Sequence, residues 1–399
     1  HGLGRKTVGA PGGQAALAAQ TEIDFGIVIR TPMIEITTIG AGGGSIPRID
    51  AGGLLQVGPE SAGSYPGPVC YGQGNTEPTL TDANLVLGRI NADRPIGGKL
   101  DRLDVAGARA AIGREIAEPL KLTVEGAAEA VLRVANAKMA GAIRLVSIER
   151  GLDPAKFSAM PFGGGGALHT GALIHECGLQ GAVVPRYPGV TSALGCVVAD
   201  MRHDRVKTVN RLLDGIDAPA LGREMLEVVD QLTALLGKAG VSFAGIEQVF
   251  ELDMLYLGQT HTVSVALEVS GDDLTKDAIF AAFEVAYKNS FGRLLDGIAT
   301  RIMNYRVAVI GQRPPFDMSV FAPTEGKPAE DCKTGTRQVY VDGSWQLVGI
   351  YDRLALGIGQ VVAGPCILEQ SDTTIFVDPG LSGRVDRFGN LIIERADES

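Results

Sequence analysis

The chain has 399 residues, 45% of them hydrophobic and 21% charged, a composition that suits a folded globular protein of two or three domains and excludes wholesale disorder. Its 36 basic and 46 acidic residues leave a net charge of -10, which opposes a phosphate backbone, so no nucleic-acid partner is expected. No stretch approaches the roughly 18 apolar residues that a membrane helix needs, and the start at His1 lacks a signal-peptide core, so the sequence reads as cytoplasmic with no membrane partner.

Residues 1–20 show no period and read as an irregular segment, a processed or incomplete start. Residues 22–39 alternate apolar and polar through Ile34, Glu35, Ile36 and Thr37 and predict strands. They run into the glycine cluster Gly40–Ser45, followed by a long Pro- and Gly-rich loop from about Asp50 to Pro78. From Val124 to Arg150, the residues Val131, Ala135, Met139, Ala142 and Val146 share one helical face, and Gly151 and Pro154 end the helix. A short strand over Phe157–Phe162, a second cluster Gly163–Gly166, a helix over Ala167–Cys177 and a strand over Gly181–Pro185 complete an α/β succession.

After about Asp204 the pattern changes. Asp217 caps a helix carrying Leu221, Met225, Val228, Leu232 and Leu235, and a second helix spans about Asp273–Phe291. Between them, Val249–Tyr256 and Thr262–Leu267 predict a strand pair turned at Gly258. Residues 325–336 read as a polar linker or exposed loop. Strands are predicted at Gln338–Val341 and Trp345–Ile350 around an Asp342-Gly343 hairpin turn, then at Cys366–Glu369, Thr374–Val377 and Leu391–Glu394. The expected division is an irregular segment 1–20, an α/β lobe 21–205 and an α+β, strand-rich domain 206–399.

The 54 glycines are about twice the usual share and fall in clusters, as loops that meet a ligand with their backbone require. Neither cluster fits a common nucleotide fingerprint. No G-x-x-x-x-G-K-[ST] occurs, and Ser45 stands where G-x-G-x-x-G needs its third glycine. Phe162–His169, between strand and helix, has the small residues and helix N-terminus that let an adenine or a phosphate lie on the main chain; close packing in a tight turn is the alternative.

His169, Asp82 and Asn84 are the candidate catalytic side chains. Each has a structural alternative: His169 as a packed first-turn residue, and Thr81 or Asp82 as the N-cap of a helix. His203 and Asp204, adjacent on a strand, point to opposite faces and do not share a metal, and no metal site is expected. His175 stands six residues from His169, a poor spacing for joint ligation, and His261 falls in a predicted strand. Five cysteines (Cys70, Cys177, Cys196, Cys332, Cys366), with no C-x-x-C pair, read as reduced thiols, and none has a neighbouring histidine to activate it.

Several long motifs together resemble the A-type subunit of the hydantoinase/oxoprolinase family, which includes subunits of the ATP-dependent acetone and acetophenone carboxylases. They are Thr38–Ile46, Asp50–Gly63, Pro66–Gly72, Pro78–Gly88, Val146–Gly151, Phe162–His169, Pro188–Gly195, Asp253–Gln259, Gly364–Glu369 and Val385–Leu391. The resemblance covers nearly everything after residue 20. It implies an actin-like ATPase (ASKHA) lobe followed by the α+β domain, with ATP and Mg2+ as cofactors. Gly163, Gly164, Gly165 and Gly166 match the adenosine-side motif, with Ala167 where proline is expected, and Gly42, Gly43, Gly44 and Ser45 match a loop near the phosphates. The family's first lobe, with its Asp-Gly-Gly-Thr phosphate motifs, lies upstream of the matched region. The implied partners are that N-terminal lobe, in cis or in trans, a B-type subunit and a small-molecule substrate. Three functions remain open: a cyclic-amide hydrolase in which ATP phosphorylates the amide oxygen, a ketone carboxylase subunit, and a non-catalytic scaffold.

Overall fold

The computed structural model describes residues 36 and 38–396 except 99, 149–150, 269–272 and 324–325, together with the backbone of four short strands nearer the N-terminus. Of those four, β1 (Leu17–Ala18) pairs with β4 (Met33–Ile34), and β2 (Thr21–Ile23) with β3 (Ile27–Ile29). The rest of the irregular segment expected over residues 1–20 lies outside the described residues, as do Glu35 and Thr37 of the expected strands.

The chain forms two compact units. One comprises Glu35–Gly195 and Asp317–Ser399; the other comprises Cys196–Phe316 with the strands between Leu17 and Ile34. The structure thus divides the chain differently from the expected boundary at residue 205, which falls inside a strand, and the last 83 residues (317–399) belong to the first unit.

In the first unit, β5 (Ser45–Ile49) and β6 (Leu55–Ser61) form a hairpin. Asp50 closes its turn, with Oδ1 accepting from the N–H groups of Gly52 and Leu54 at 2.9 and 3.0 Å. The expected loop from Asp50 to Pro78 therefore contains a strand, which its glycine and proline content conceals. α1 (Leu80–Val86) is capped by Thr79. α2 (Val105–Ile112), a wider turn over Gly113–Ala117 and α3 (Glu118–Leu120) form one helical run. α4 (Val124–Ser147) buries Val131, Ala135, Met139 and Ala142 as the spacing predicts, and Gly151, at φ 72°, donates to the Ile148 carbonyl just past its end. Next come β7 (Ser158–Ala159), α5 (Thr170–Cys177), β8 (Gly181–Val184) and α6 (Thr191–Val198), whose last three residues are assigned to the second unit. The strand expected over Phe157–Phe162 shrinks to two residues, because Pro161 has no N–H for a ladder and Gly163 turns the chain at φ 82°.

The second unit holds β9 (Met201–Leu212), α7 (Ala218–Gly237), β10 (Gly245–Tyr256), β11 (Val263–Leu267), α8 (Lys276–Phe291) and β12 (Thr300–Gln312). The strands form one antiparallel sheet in the order β11-β10-β12-β9. Asp217 caps α7, as expected, by accepting from Ala220 N–H at 3.0 Å. Leu221, Met225, Val228 and Leu232 of α7 and Ile279 and Phe283 of α8 share one core with Phe250, Leu252, Val307 and Val309 of the sheet. His261 lies between β10 and β11 rather than in a strand.

The remaining strands are β13 (Lys333–Val341), β14 (Ser344–Asp352), β15 (Val361–Ala363), β16 (Cys366–Gln370), β17 (Thr373–Val377), β18 (Leu381–Val385) and β19 (Leu391–Arg395). Asp342 and Gly343, at φ 50° and 78°, make the predicted hairpin turn between β13 and β14. The expected linker over residues 325–336 is instead a helical turn at Ala329–Cys332, with Cys332 buried, running into β13. These strands complete a sheet ordered β13-β14-β16-β17 and a second ordered β15-β18-β19-β8-β7. Pairing of β19 with β8 sets Leu391 opposite Val184 and Ile393 opposite Ala182, which explains why the C-terminal strands belong to the first unit. The fold is mixed α/β.

Candidate functional site

Both glycine clusters lie in the first unit, and their surroundings differ. In the first, a Cβ on Gly40 would stand 2.8 Å from the Pro59 side chain, one on Gly43 2.8 Å from Thr81 Oγ1, and one on Gly44 2.8 Å from Ser61 Oγ. The Gly43 carbonyl accepts from both Thr81 N–H and Thr81 Oγ1 at 2.9 Å, and the Gly44 carbonyl accepts from Ala62 N–H at 2.9 Å. Ser45 Oγ accepts from Gly42 N–H at 2.9 Å. Glycine is required here by the chain's own packing.

In the second cluster a Cβ on Gly163 would meet nothing within 4 Å, and one on Gly164 only ordinary contacts at 3.6 Å to the Asp372 carbonyl and Ile96. The loop is fixed at its back. Gly163 N–H donates to the Pro188 carbonyl at 2.7 Å, and Thr373 Oγ1 reaches the carbonyls of Gly163 and Gly164 at 3.3 and 3.1 Å. Gly166–His169 then form a helical turn leading into α5, rather than one helix from Ala167. The result is a braced loop with space over Gly163, ahead of a helix N-terminus.

The three candidate side chains are all buried. His169 Nδ1 lies 2.7 Å from Asn136 Oδ1 on α4; since that oxygen only accepts, Nδ1 carries the proton. Asp82, fully buried, accepts from Val69 N–H, Cys70 N–H, Thr79 N–H and Thr79 Oγ1 at 3.1, 2.8, 2.8 and 2.8 Å. The N-cap of α1 is Thr79, not Thr81 or Asp82, and Asp82 completes a capping box as its third residue. Asn84 donates to the Leu80 carbonyl at 3.0 Å, while its Oδ1 is buried without a partner. These contacts give Asp82 a capping and anchoring role. Burial and the Asp82 carboxylate push the Cys70 thiol well above its ordinary range, so it is no thiolate nucleophile.

One titratable group near α5 escaped the sequence reading. A Cβ on Gly171 would collide with the Asp378 carboxylate, so glycine lets α5 approach the end of β17. Burial pushes the Asp378 pKa up to about 6, against the opposing influence of Arg89 and His175. Arg89 lies 4.4 Å over the Phe376 ring. In the second unit, Asp253 is buried and accepts from Arg306 Nη2 at 3.0 Å and Asn304 Nδ2 at 3.0 Å. Asp204 pairs with Arg202 on the same strand, not with His203. Among the described residues no three His, Cys, Asp or Glu side chains gather as metal ligands.

Comparison with known proteins places this architecture. The family description hydantoinase/oxoprolinase matches residues 11–205, and hydantoinase/oxoprolinase C-terminal domain matches residues 221–395. The chain belongs to the hydantoinase/oxoprolinase family. It is 36% identical over 362 residues to caprolactamase subunit alpha of Pseudomonas jessenii, covering 88% of this chain and 51% of that one. It is 31% identical over 386 residues to the acetophenone carboxylase gamma subunit of Aromatoleum aromaticum, covering 93% and 52%. The crystal structure of the ATP-dependent caprolactamase from Pseudomonas jessenii superposes with a TM-score of 0.76 at 33% identity, over 95% of this chain and 55% of that one. The chain thus spans about half the length of these two curated relatives.

Proposed function

We propose that this chain supplies the adenosine side of the ATP site of an ATP-dependent cyclic-amide hydrolase, within an actin-like lobe. The observation carrying this reading is the Gly163–Gly166 loop, braced by Thr373 and the Pro188 carbonyl yet open over Gly163. Glycines whose Cβ positions face open space are what a flat base lying on the main chain requires. The similarity to caprolactamase subunit alpha, at 36% identity against 31% for the carboxylase subunit, favours the amide substrate class.

In this reading Gly163, Gly164, Gly165 and Gly166 hold the nucleotide by backbone. Gly42, Gly43, Gly44 and Ser45 present a rigid surface on the phosphate side, and Mg2+ accompanies the phosphates. ATP, when bound, supplies the phosphoryl group that turns a poorly electrophilic amide oxygen into a leaving group. His169, held by Asn136, keeps the turn before α5 in one orientation. The other ATPase lobe and a B-type subunit complete the enzyme.

The test is turnover by the chain combined with the N-terminal half that its relatives carry and with a B-type subunit. Phosphate release that depends on a lactam or hydantoin supports the proposal. Release that depends on a ketone and bicarbonate assigns the chain to a carboxylase, and no ATP turnover with either class leaves the scaffold.

A further inference from the structure

The turn Asp386–Asn390 joins β18 to β19, and Asp386 closes it internally. Its Oδ1 accepts from the N–H groups of Phe388 and Asn390 at 2.8 Å each, and its Oδ2 from Asn390 Nδ2 at 2.9 Å. Two arginines converge on this turn. Arg353, just past β14, is fully buried and donates from Nη2 to the Gly389 carbonyl at 2.7 Å, while its Nε and Nη1 are buried with no acceptor. Arg186, just past β8, packs on the same residue: a Cβ on Gly389 would stand 2.8 Å from Arg186 Nη1. Arg186 makes one long bond, from Nη2 to the Leu354 carbonyl at 3.3 Å, and its Nε and Nη1 are also buried with no acceptor.

Two arginines on the same turn thus present four nitrogens that lack acceptors among the described residues, where neither belongs to a salt bridge. Burial first, and Arg186 second, draw the Arg353 pKa down to about 10 against the opposing influence of Asp386, so Arg353 remains cationic at neutral pH. Asp386 supplies one negative charge, but its oxygens accept within the turn, so the two arginines are left with one countercharge and without acceptors, an unfavourable state unless something supplies both acceptors and further negative charge. Water supplies only the acceptors. A planar carboxylate offers two oxygens, whereas a tetrahedral oxyanion offers four, matching the four nitrogens and the strong pairing of guanidinium with phosphate.

We propose that Arg186 and Arg353, over the Gly389 turn, form a binding site for a tetrahedral oxyanion of the phosphate type. The site stands on residues other than the glycine loop, and inorganic phosphate alone probes it, so its failure is distinguishable from failure of the nucleotide reading.

The experiment is calorimetric titration of the purified 399-residue chain with inorganic phosphate, with acetate at matched ionic strength as the comparison. The expected result is saturable phosphate binding with no saturable acetate binding. Arg186→Gln, at a half-buried position, should remain folded by circular dichroism and bind phosphate at least ~10-fold more weakly, with Arg186→Lys intermediate. Crystals of the unaltered chain soaked in selenate give a variant-free check, an anomalous peak in contact with both guanidinium groups. No saturable phosphate binding, equal binding of acetate, an unchanged affinity in folded Arg186→Gln, or a selenate peak elsewhere would overturn the proposal.

Discussion

The two glycine loops of the first unit look alike in sequence and behave differently in space. Around Gly40–Ser45, three of the missing Cβ atoms would strike Pro59, Thr81 or Ser61, so the glycines are needed by the chain itself. Around Gly163–Gly166, the same test finds open space at Gly163 and only ordinary contacts at Gly164. Gly163 serves the turn at φ 82°, and the space over it leaves room for a ligand. The glycine positions of the first loop are accordingly filled by the chain itself and those of the second leave room, a distinction that glycine counts alone do not make.

The largest effect should come from removing the buried carboxylate in the capping box of α1, the helix whose Thr81 holds the first loop. Asp82→Ala leaves the N–H groups of Val69, Cys70 and Thr79 without their acceptor and should cost about 4 kcal/mol in urea unfolding. A loss under ~1 kcal/mol would show that water replaces the carboxylate easily. Gly58→Ala should follow at about 3 kcal/mol, since its φ of 61° is unfavourable for alanine and its Cβ would overlap the Gly40 carbonyl oxygen. By contrast, Gly164→Ala should change stability by no more than ~0.5 kcal/mol, which equilibrium unfolding can check directly.

The helix that follows the second loop gives a pH signature. The Asp378 pKa, about 6 in the folded chain against 3.8 ordinarily, makes the native state hold its proton longer than the unfolded state. Its contribution to stability therefore falls as pH rises from about 4 to about 6 and is level above that. Asp378→Asn should remove that decline, seen as a difference between the two unfolding profiles over this window. Parallel profiles would mean that Asp378 ionises in the fold as it does in water.

Much of the local structure was legible in the sequence. The apolar stripe from Val131 to Val146 gave α4, Asp217 marked the start of α7, and Asp342-Gly343 gave the β13–β14 turn. The membership of the last strands in the first compact unit was not legible, because it depends on β19 pairing with β8 some 200 residues away in sequence, and no local pattern encodes that partner. The same limit hid the braces of the second loop. Thr373 lies 210 residues beyond Gly163, and Asn136 reaches His169 from another helix. Motif resemblance pointed to both loops, but only the packing around each glycine tells a filled position from an open one.

That separation is tested most directly by measuring ATP affinity in Gly164→Ala within a chain extended by the N-terminal half that its relatives carry. The account predicts an unfolding midpoint equal to that of the unaltered protein and an affinity at least ~10-fold lower, since the added methyl, in only ordinary contact with the Asp372 carbonyl and Ile96, stands on the loop where the proposed ligand meets the backbone. A folded variant that binds ATP as tightly as the unaltered protein would contradict it and return the second loop to the same packing role as the first.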